Sequence, residues 1–100
     1  PKPSKNSEPS WFGFLLTVRD GVLRSDVVSR LEENGVQTRM LFAGNILRHP
    51  CFDDMRKRKK GFRVVGKLRN TDRIVEDTFW IGVYPGMTKR MITYMAELLE

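Results

Sequence analysis

The stretch SWFGFLLTV, residues 10–18, is rich in aromatic and β-branched residues. Its apolar residues follow one another too closely to alternate between two faces. This pattern predicts a strand that is buried on both faces, or a central strand that helices cover on one side. Two more segments, VQTRMLF at 36–42 and FWIGVY at 79–84, also have a β-forming composition. The sequence therefore predicts three strands.

Three helices are expected between and after these strands. The first covers residues 24–34 and ends before Gly35, which suits the left-handed conformation that stops a helix. The second covers residues 72–77. The third follows residue 88 and places apolar residues at helical spacing up to Leu99. We predict side-chain N-caps for these helices at Ser25, Thr71 and Thr88.

The order of elements is strand, helix, strand, irregular connection, helix, strand, helix. Three strands and three helices in this order predict an α+β fold, a two-layer sandwich with a small three-stranded sheet and helices on one face. Residues 1–10 contain three prolines and precede the first apolar run, so we expect a flexible linker there. Residues 11–100 are then one small domain.

The composition excludes several classes of protein. With 40% hydrophobic and 30% charged residues, the chain is globular rather than disordered. The single cysteine, Cys51, excludes an intrachain disulfide and a cysteine-based zinc site, and we expect it to be partly buried. No apolar run approaches the ~20 residues that a bilayer span needs, and residues 1–10 do not form a secretory signal. These features predict a cytoplasmic protein without a membrane segment.

The positive charge is confined to one segment. Residues 56–73 hold nine Lys or Arg and one acid, a net charge of +8, while the rest of the chain has a net charge of −2. Such a run is first interpreted as a solvated loop. A phosphate contact there stays open as an alternative. A nucleic-acid site is not expected, because the aromatic residues of the strands, including Trp11, Phe12 and Phe14, are predicted core.

No catalytic or metal-binding constellation is recognisable. The chain has one histidine and one cysteine, too few for a metal cluster. Three pairs of adjacent acids, Glu32–Glu33, Asp53–Asp54 and Glu76–Asp77, are interpreted as solvated surface, because neighbours on a helix point ~100° apart. Phosphate-binding glycine loops are also missing from the sequence. We therefore assign no catalytic residue.

The segment 37–50 is the best candidate for binding, because polar side chains gather where the second strand ends. Arg39 and Arg48 could fork onto a phosphate or a carboxylate, and Asn45 could bond sugar hydroxyls. In the structural alternative, Gly44 and Asn45 only shape a turn, and both arginines are solvated.

Three segments together resemble a known family. SWFGFLLTV, LEENGVQTRMLFAGNILRHP and NTDRIVEDTFWIGVYPGMT are similar to the C-terminal part of the DegT/DnrJ/EryC1/StrS group of pyridoxal-phosphate (PLP) proteins. The resemblance covers nearly all of residues 10–98. Within the group, it looks most like the CDP-4-keto-6-deoxyglucose 3-dehydratases of lipopolysaccharide biosynthesis.

The resemblance implies the small C-terminal domain of an aspartate-aminotransferase-like fold. A large PLP domain that carries the catalytic lysine or histidine would then lie outside this chain. We expect PLP or pyridoxamine phosphate (PMP) in the intact enzyme and no cofactor bound to these residues alone. By resemblance, the loop enters the substrate cleft, and the implied substrate-binding residues are Arg39, Phe42, Asn45, Arg48 and His49.

The implied reaction is removal of the C3 hydroxyl from a CDP-4-keto-6-deoxyhexose for O-antigen synthesis. The intact enzyme would be a homodimer that acts on a nucleotide sugar, with an iron–sulfur flavoprotein reductase as a possible electron donor. Two alternatives stay open, the corresponding domain of a PLP-dependent sugar aminotransferase and a standalone basic module that binds phosphate or RNA.

Overall fold

A computed structural model describes residues 1–100. It contains three strands and four α-helices, in the order β1 (Gly13–Thr17), α1 (Arg24–Glu33), β2 (Thr38–Met40), α2 (Asp53–Arg58), α3 (Arg69–Asp77), β3 (Thr78–Gly82) and α4 (Lys89–Glu97). Two single 3₁₀ turns, Ile46–Arg48 and Pro50–Phe52, lie between β2 and α2. Residues 1–10 form no strand or helix and are exposed.

The strand β3, not β1, is the centre of the sheet. The strand order is β1-β3-β2, and β3 is antiparallel to both neighbours. The prediction that residues 10–18 form a doubly buried or central strand is therefore wrong. The apolar run is continuous because its first residues, Trp11 and Phe12, precede the strand and stay exposed. Only the five residues from Gly13 to Thr17 pair with β3.

The core lies on one face of the sheet. Its buried apolar side chains are Leu31 from α1 and Phe79 and Ile81 from β3. Partly buried side chains from β1, α1 and α4 pack around them, among them Leu16, Val27, Val28, Met95 and Leu98. The helices α1 and α4 therefore cover this face, and the predicted α+β class is confirmed, with four α-helices in place of three.

Two of the three predicted helix caps are wrong. Ser25 and Thr71 lie inside α1 and α3, which begin at Arg24 and Arg69 without a side-chain cap. The third is confirmed, because the hydroxyl of Thr88 accepts a hydrogen bond from the backbone N–H of Met91 at 3.3 Å. Gly35, with φ +78°, follows α1 as predicted.

Replacing Thr88, the one confirmed cap among the three predicted, should destabilise the chain measurably. We expect Thr88→Ala to lower the free energy of unfolding by about 1 kcal/mol, because the first turn of α4 loses its side-chain acceptor. Ser25→Ala is the matched control and should change it by less than about 0.3 kcal/mol, since Ser25 caps no helix. Urea denaturation followed by circular dichroism measures both. Equal effects of the two substitutions would contradict the assignment of the cap.

The basic segment and several apolar residues also differ from expectation. Arg56, Lys57 and Arg58 are helical, in α2, rather than part of a solvated loop. Cys51 is exposed and not partly buried. Trp11, Phe12 and Phe14 are exposed rather than core, because they lie on or before the edge strand β1. None of the four α-helices is long enough and apolar enough to cross a bilayer.

The chain exposes more surface than a free-standing domain of its size. Its accessible surface is 8526 Å², whereas a compact monomer of 11.7 kDa exposes ~5,900 Å². Its radius of gyration is 17.1 Å, compared with ~13 Å for a compact 100-residue domain. Residues 1–10, which are exposed and lie outside every strand and helix, contribute to both values.

Candidate functional site

The candidate site starts at residues 42–44, where the backbone reverses its direction after β2. Phe42 has φ +42°, which a non-glycine residue rarely adopts, and Gly44 has φ +63°. A Cβ on Gly44 would lie 2.8 Å from a methyl group of Val75, so glycine is required for the close approach to α3. This reversal ends β2 at Met40, two residues earlier than the sequence predicts. Backbone strain outside glycine often marks functional loops.

Asn45 joins this loop to α3. It is 7% exposed, and its amide nitrogen donates to Oδ1 of Asp72 at 2.8 Å. Its amide oxygen accepts from the backbone N–H of Leu47 at 3.0 Å, which caps the first 3₁₀ turn. Both polar atoms of the amide are engaged within the chain, so Asn45 fixes the shape of the loop.

Arg48 makes a second link from the loop to α3. Its guanidinium lies 2.9 Å from Oδ1 of Asp72 and 3.4 Å from Oε1 of Glu76. The side chain is about half exposed, so water weakens both ion pairs and each contributes at most ~1 kcal/mol. The pairs orient the guanidinium along α3.

His49 and Arg56 brace the loop from the other side. Nε2 of His49 donates to the backbone carbonyl of Ala43. The guanidinium of Arg56 donates to the carbonyls of Leu47 and His49 and pairs with Asp53. The loop is therefore held by side chains at both ends.

A cavity of about 550 Å³ opens beside this braced loop. Its walls come from the loop, α2 and the beginning of α3, and they carry four cations and one carboxylate, from Arg48, Arg56, Lys67, Arg69 and Asp72. The basic segment therefore folds back on the loop, because Arg56, Lys67 and Arg69 line the same cavity as residues 45–48.

Arg39 lies on the opposite side of the sheet from the core. In the antiparallel register Arg39 faces Trp80, which alternates with the core residues Phe79 and Ile81. Its guanidinium donates to its neighbour's carbonyl, that of Thr38, at 2.8 Å, and no carboxylate lies within 4.0 Å of it. This charge is available for an anionic ligand.

The same face carries a cluster of apolar side chains that we call the aromatic surface: Trp11, Phe12, Leu15, Leu41, Phe42 and Trp80. They line a cavity of about 190 Å³. The rings of Phe12 and Trp80 lie with their centroids 5.1 Å apart at an angle of 51°. Gly13 is required beneath them, because a Cβ there would overlap the ring of Trp80.

The structure divides the five predicted site residues into two groups. Asn45, Arg48 and His49 are engaged in the braced loop, whereas Arg39 and Phe42 lie on the open face of the sheet. Sequence reasoning missed the contacts of Asp72, which it placed only at the start of the second predicted helix. It also missed Arg56. A polar residue followed by an acid 27 positions later gives no local signal of pairing.

Glu32 binds Thr38 at the start of β2, although the sequence analysis interpreted the pair Glu32–Glu33 as solvated surface. Its Oε1 accepts the backbone N–H of Thr38 at 2.6 Å and the hydroxyl of Thr38 at 2.8 Å. These two hydrogen bonds, the backbone bond first, hold the pKa of Glu32 below its ordinary value of 4.5, and the charge of Arg39 adds to the effect. The carboxylate thus fixes the start of β2, one residue before Arg39.

This pKa shift predicts how stability depends on pH. Because the folded pKa is lowered, the stabilisation from Glu32 is complete above about pH 4.5 and is lost as the pH falls through the lowered value. We expect Glu32→Gln to destabilise the chain at pH 7 and to make a smaller difference near pH 3. Glu33→Gln serves as the control. Urea titrations at both pH values test this, and a pH-independent effect of Glu32→Gln would contradict it.

The comparisons with known proteins agree with the fold. The family model of the DegT/DnrJ/EryC1/StrS aminotransferase family matches residues 1–100. The lipopolysaccharide biosynthesis protein RfbH of Salmonella typhimurium is 45% identical over 102 residues, 100% of this chain and 22% of that protein. The dTDP-4-dehydro-2,6-dideoxy-D-glucose 3-dehydratase of Saccharopolyspora spinosa is 43% identical over 99 residues, 97% of this chain and 20% of that protein.

A solved structure shows the same fold. The GDP-4-keto-6-deoxy-D-mannose-3-dehydratase of E. coli with bound hydrated PLP superposes with a TM-score of 0.78 at 23% identity, over 97% of this chain and 24% of that chain. The chain belongs to the DegT/DnrJ/EryC1/StrS aminotransferase family. It spans about a fifth of the length of the curated relatives it matches.

The two cavities do not fit PLP. The cofactor needs cations or N–H groups for its phosphate and a surface against which its ring can stack. The aromatic cavity is lined by no charged residue, and the cationic cavity is lined by no aromatic ring. Neither cavity alone meets both needs, so no step of the reaction is assigned to a cofactor held by these residues.

Proposed function

We propose that this chain is the small C-terminal domain of a PLP- or PMP-dependent nucleotide-sugar 3-dehydratase. The observation that carries the proposal is 43% identity, over nearly the whole chain, to a protein named as a nucleotide-sugar 3-dehydratase. The similarity to a lipopolysaccharide biosynthesis protein supports a role in O-antigen synthesis. When bound, the cofactor supplies an electron sink, while the protein supplies orientation.

The proposed substrate is a CDP-4-keto-6-deoxyhexose that loses its C3 hydroxyl. We assign the cytoplasm as the location and a homodimer as the assembly, with an iron–sulfur flavoprotein reductase as electron donor. These assignments concern the full-length polypeptide, and they rest on the family resemblance.

The contacts of each residue suggest how the domain contributes to the substrate cleft. Arg39 has no carboxylate partner on the open face, and Phe42 is 78% exposed on the same side of the sheet, so these two side chains are proposed to touch the nucleotide sugar. Asn45, Arg48 and His49 already hold the loop, and we propose that they mainly position Phe42 and the backbone of residues 43–49. Conformational bracing of this kind keeps a binding loop ready for its ligand.

The second candidate function is that of a sugar aminotransferase. The family description itself favours it, because the matched family is named for aminotransferases. The deciding residue, lysine or histidine, is expected outside these 100 residues. A standalone phosphate- or RNA-binding module is the third candidate, and its support is the +8 segment at residues 56–73.

The product formed by the full-length polypeptide separates the first two candidates. The enzyme is incubated with PMP, CDP-4-keto-6-deoxyglucose and a two-electron donor, and the sugar is analysed by mass spectrometry. A 3-dehydratase gives a sugar that lacks the C3 oxygen. A sugar that keeps this oxygen and gains an amino group at C4, formed with glutamate as donor, would establish the aminotransferase instead. Nucleic-acid binding that weakens steeply with salt would favour the third candidate.

Arg39→Ala in the full-length polypeptide tests the proposed anion contact. We expect kcat/KM to fall by about tenfold, because a charge-assisted hydrogen bond to the substrate is lost. Arg90→Ala, on the exposed side of α4, is the matched control and should leave kcat/KM unchanged. An Arg39→Ala enzyme with the same kcat/KM as the control would contradict the role of Arg39.

A further inference from the structure

We propose that Glu32 is a positioning residue for Arg39, whose guanidinium is proposed above to contact the anionic part of the nucleotide sugar. Glu32 acts through Thr38, which precedes Arg39 in β2, and does not touch the ligand itself. The inference rests on the proposed function, because it concerns how tightly the same site holds the phosphate groups of a nucleotide.

The shortness of β2 leaves its register weakly fixed by the sheet alone. The strand has only three residues, Thr38–Met40, and it lies at the edge of the sheet, where it pairs with β3 only. Successive side chains of a strand point to opposite faces, so a slip of one residue would move Arg39 from the open face to the core face. A three-residue ladder has few hydrogen bonds that oppose such a slip. A contact from outside the ladder would fix the register.

Glu32 makes such a contact at the first residue of the strand. Its Oε1 accepts the backbone N–H of Thr38 at 2.6 Å and the hydroxyl of Thr38 at 2.8 Å. The two hydrogen bonds therefore fix the backbone and the side chain of Thr38 together. Hydrogen bonds to an ionised carboxylate are roughly twice as strong as those between neutral groups.

Both ends of this contact are anchored in the core. Glu32 follows Leu31, which is fully buried, and the carbonyl of Leu31 accepts the backbone N–H of Val36 at 2.9 Å across the turn that leads to β2. Thr38 is 5% exposed and stands opposite a core residue of β3 in the register. Arg39 is the next residue and is exposed, so its backbone leaves a fixed point.

The guanidinium of Arg39 is held by the same residue that Glu32 holds. It donates to the carbonyl of Thr38 at 2.8 Å, so Thr38 contacts Glu32 through its N–H and hydroxyl and Arg39 through its carbonyl. The carboxylate of Glu32 lies more than 4.0 Å from the guanidinium and forms no ion pair with it. An arginine that is oriented in advance loses less freedom when it binds an anion. Glu32 therefore orients the charge of Arg39 and leaves it free for the ligand.

A double-mutant cycle in the full-length polypeptide tests the proposal. Glu32→Ala and Arg39→Ala are made singly and together, and the dissociation constant of CDP is measured by isothermal titration calorimetry. Glu33→Ala is the matched control, because it removes the same charge one position away and leaves the acceptor of Thr38 in place. Glu32→Gln is the conservative variant, because it keeps an oxygen that can accept from Thr38.

We expect Arg39→Ala to weaken CDP binding about tenfold and Glu32→Ala about fivefold, whereas Glu33→Ala and Glu32→Gln change it by less than about twofold. In the Arg39→Ala background, Glu32→Ala should add less than about 1.5-fold, because no guanidinium is left to orient. A merely structural role of Glu32 would not depend on Arg39, so an equal loss in both backgrounds would overturn the inference. An equal loss for Glu32→Gln and Glu32→Ala would overturn it as well.

The same measurements separate this inference from the proposed function. If Arg39→Ala leaves the affinity for CDP unchanged, the contact of Arg39 with the nucleotide is wrong, and the role of Glu32 falls with it. If Arg39→Ala weakens binding and Glu32→Ala does not, the contact of Arg39 stands and only the positioning role of Glu32 is wrong.

Discussion

Phe79→Ala is expected to lower the free energy of unfolding by about 3–5 kcal/mol. Phe79 is 1% exposed and is one of only three enclosed apolar side chains, so its removal leaves a cavity at the centre of the sheet. Small domains are stable by only ~5–15 kcal/mol, so this loss is a large part of the total. Urea denaturation of the variant and the unchanged chain measures it.

Phe62→Ala provides the matched control for this substitution. Phe62 is 39% exposed and lies in the basic segment, outside every strand and helix. We expect its removal to cost less than about 1 kcal/mol. If both alanine variants unfolded at the same urea concentration, the assignment of Phe79 to the core would be wrong.

Asn45→Asp is expected to destabilise the braced loop by about 3 kcal/mol, the cost typical of an uncompensated buried charge. The substitution barely changes the shape of the side chain, but it replaces a donor with a second carboxylate, 2.8 Å from Oδ1 of Asp72. Asn45 is 7% exposed, so water screens the repulsion poorly. Hydrogen exchange of the amides of residues 44–48 reports the loosening of the loop, and urea denaturation reports the loss of stability.

The control for Asn45→Asp is Asn70→Asp, on the exposed part of α3. It adds the same charge and should change stability by less than about 0.5 kcal/mol. If the amides of residues 44–48 exchanged as slowly in the Asn45→Asp variant as in the unchanged chain, the contact with Asp72 would not be what holds the loop.

The sequence predicts the elements of the fold better than their environment. The composition of residues 10–18, 36–42 and 79–84 locates all three strands, because aromatic and β-branched residues favour extended backbone. It does not show that β3 is central, since strand order depends on pairing between distant residues. Nor does it show that Trp11 and Phe12 are exposed, because an apolar run has the same composition whether its own helices or another part of the polypeptide covers it.

The candidate site was predictable only in part for a similar reason. The polar residues between Arg39 and His49 are visible in the sequence, and the structure places all of them on β2 or in the loop that follows it. Their partners, Asp72 and Glu76, come from α3 and lie more than twenty positions later. The division of the five residues between a braced loop and an open face follows from these distant contacts and from the positive φ of Phe42.

The helix α2 includes part of the basic run that the sequence analysis interpreted as a solvated loop. The run from Arg56 to Lys60 suggests a solvated loop, yet Asp53 and Asp54 in the first turn and Arg56 and Arg58 near the end complement the helix dipole. The pairs Asp53–Arg56 and Asp54–Arg58 follow the i,i+3 and i,i+4 spacing of a helix. Lys59 then ends the helix in the left-handed conformation. The spacing of opposite charges, rather than their number, carried the helical signal.

Hydrogen exchange of the full-length polypeptide with and without CDP tests the central claim, that the loop after β2 borders a nucleotide-sugar site. We expect CDP to slow exchange at residues 41–49 by at least about tenfold, as a bound ligand suppresses local opening. Residues 56–69 should exchange at the same rate in both conditions. Unchanged exchange at 41–49, or protection confined to 56–69, would contradict the claim and place the nucleotide elsewhere.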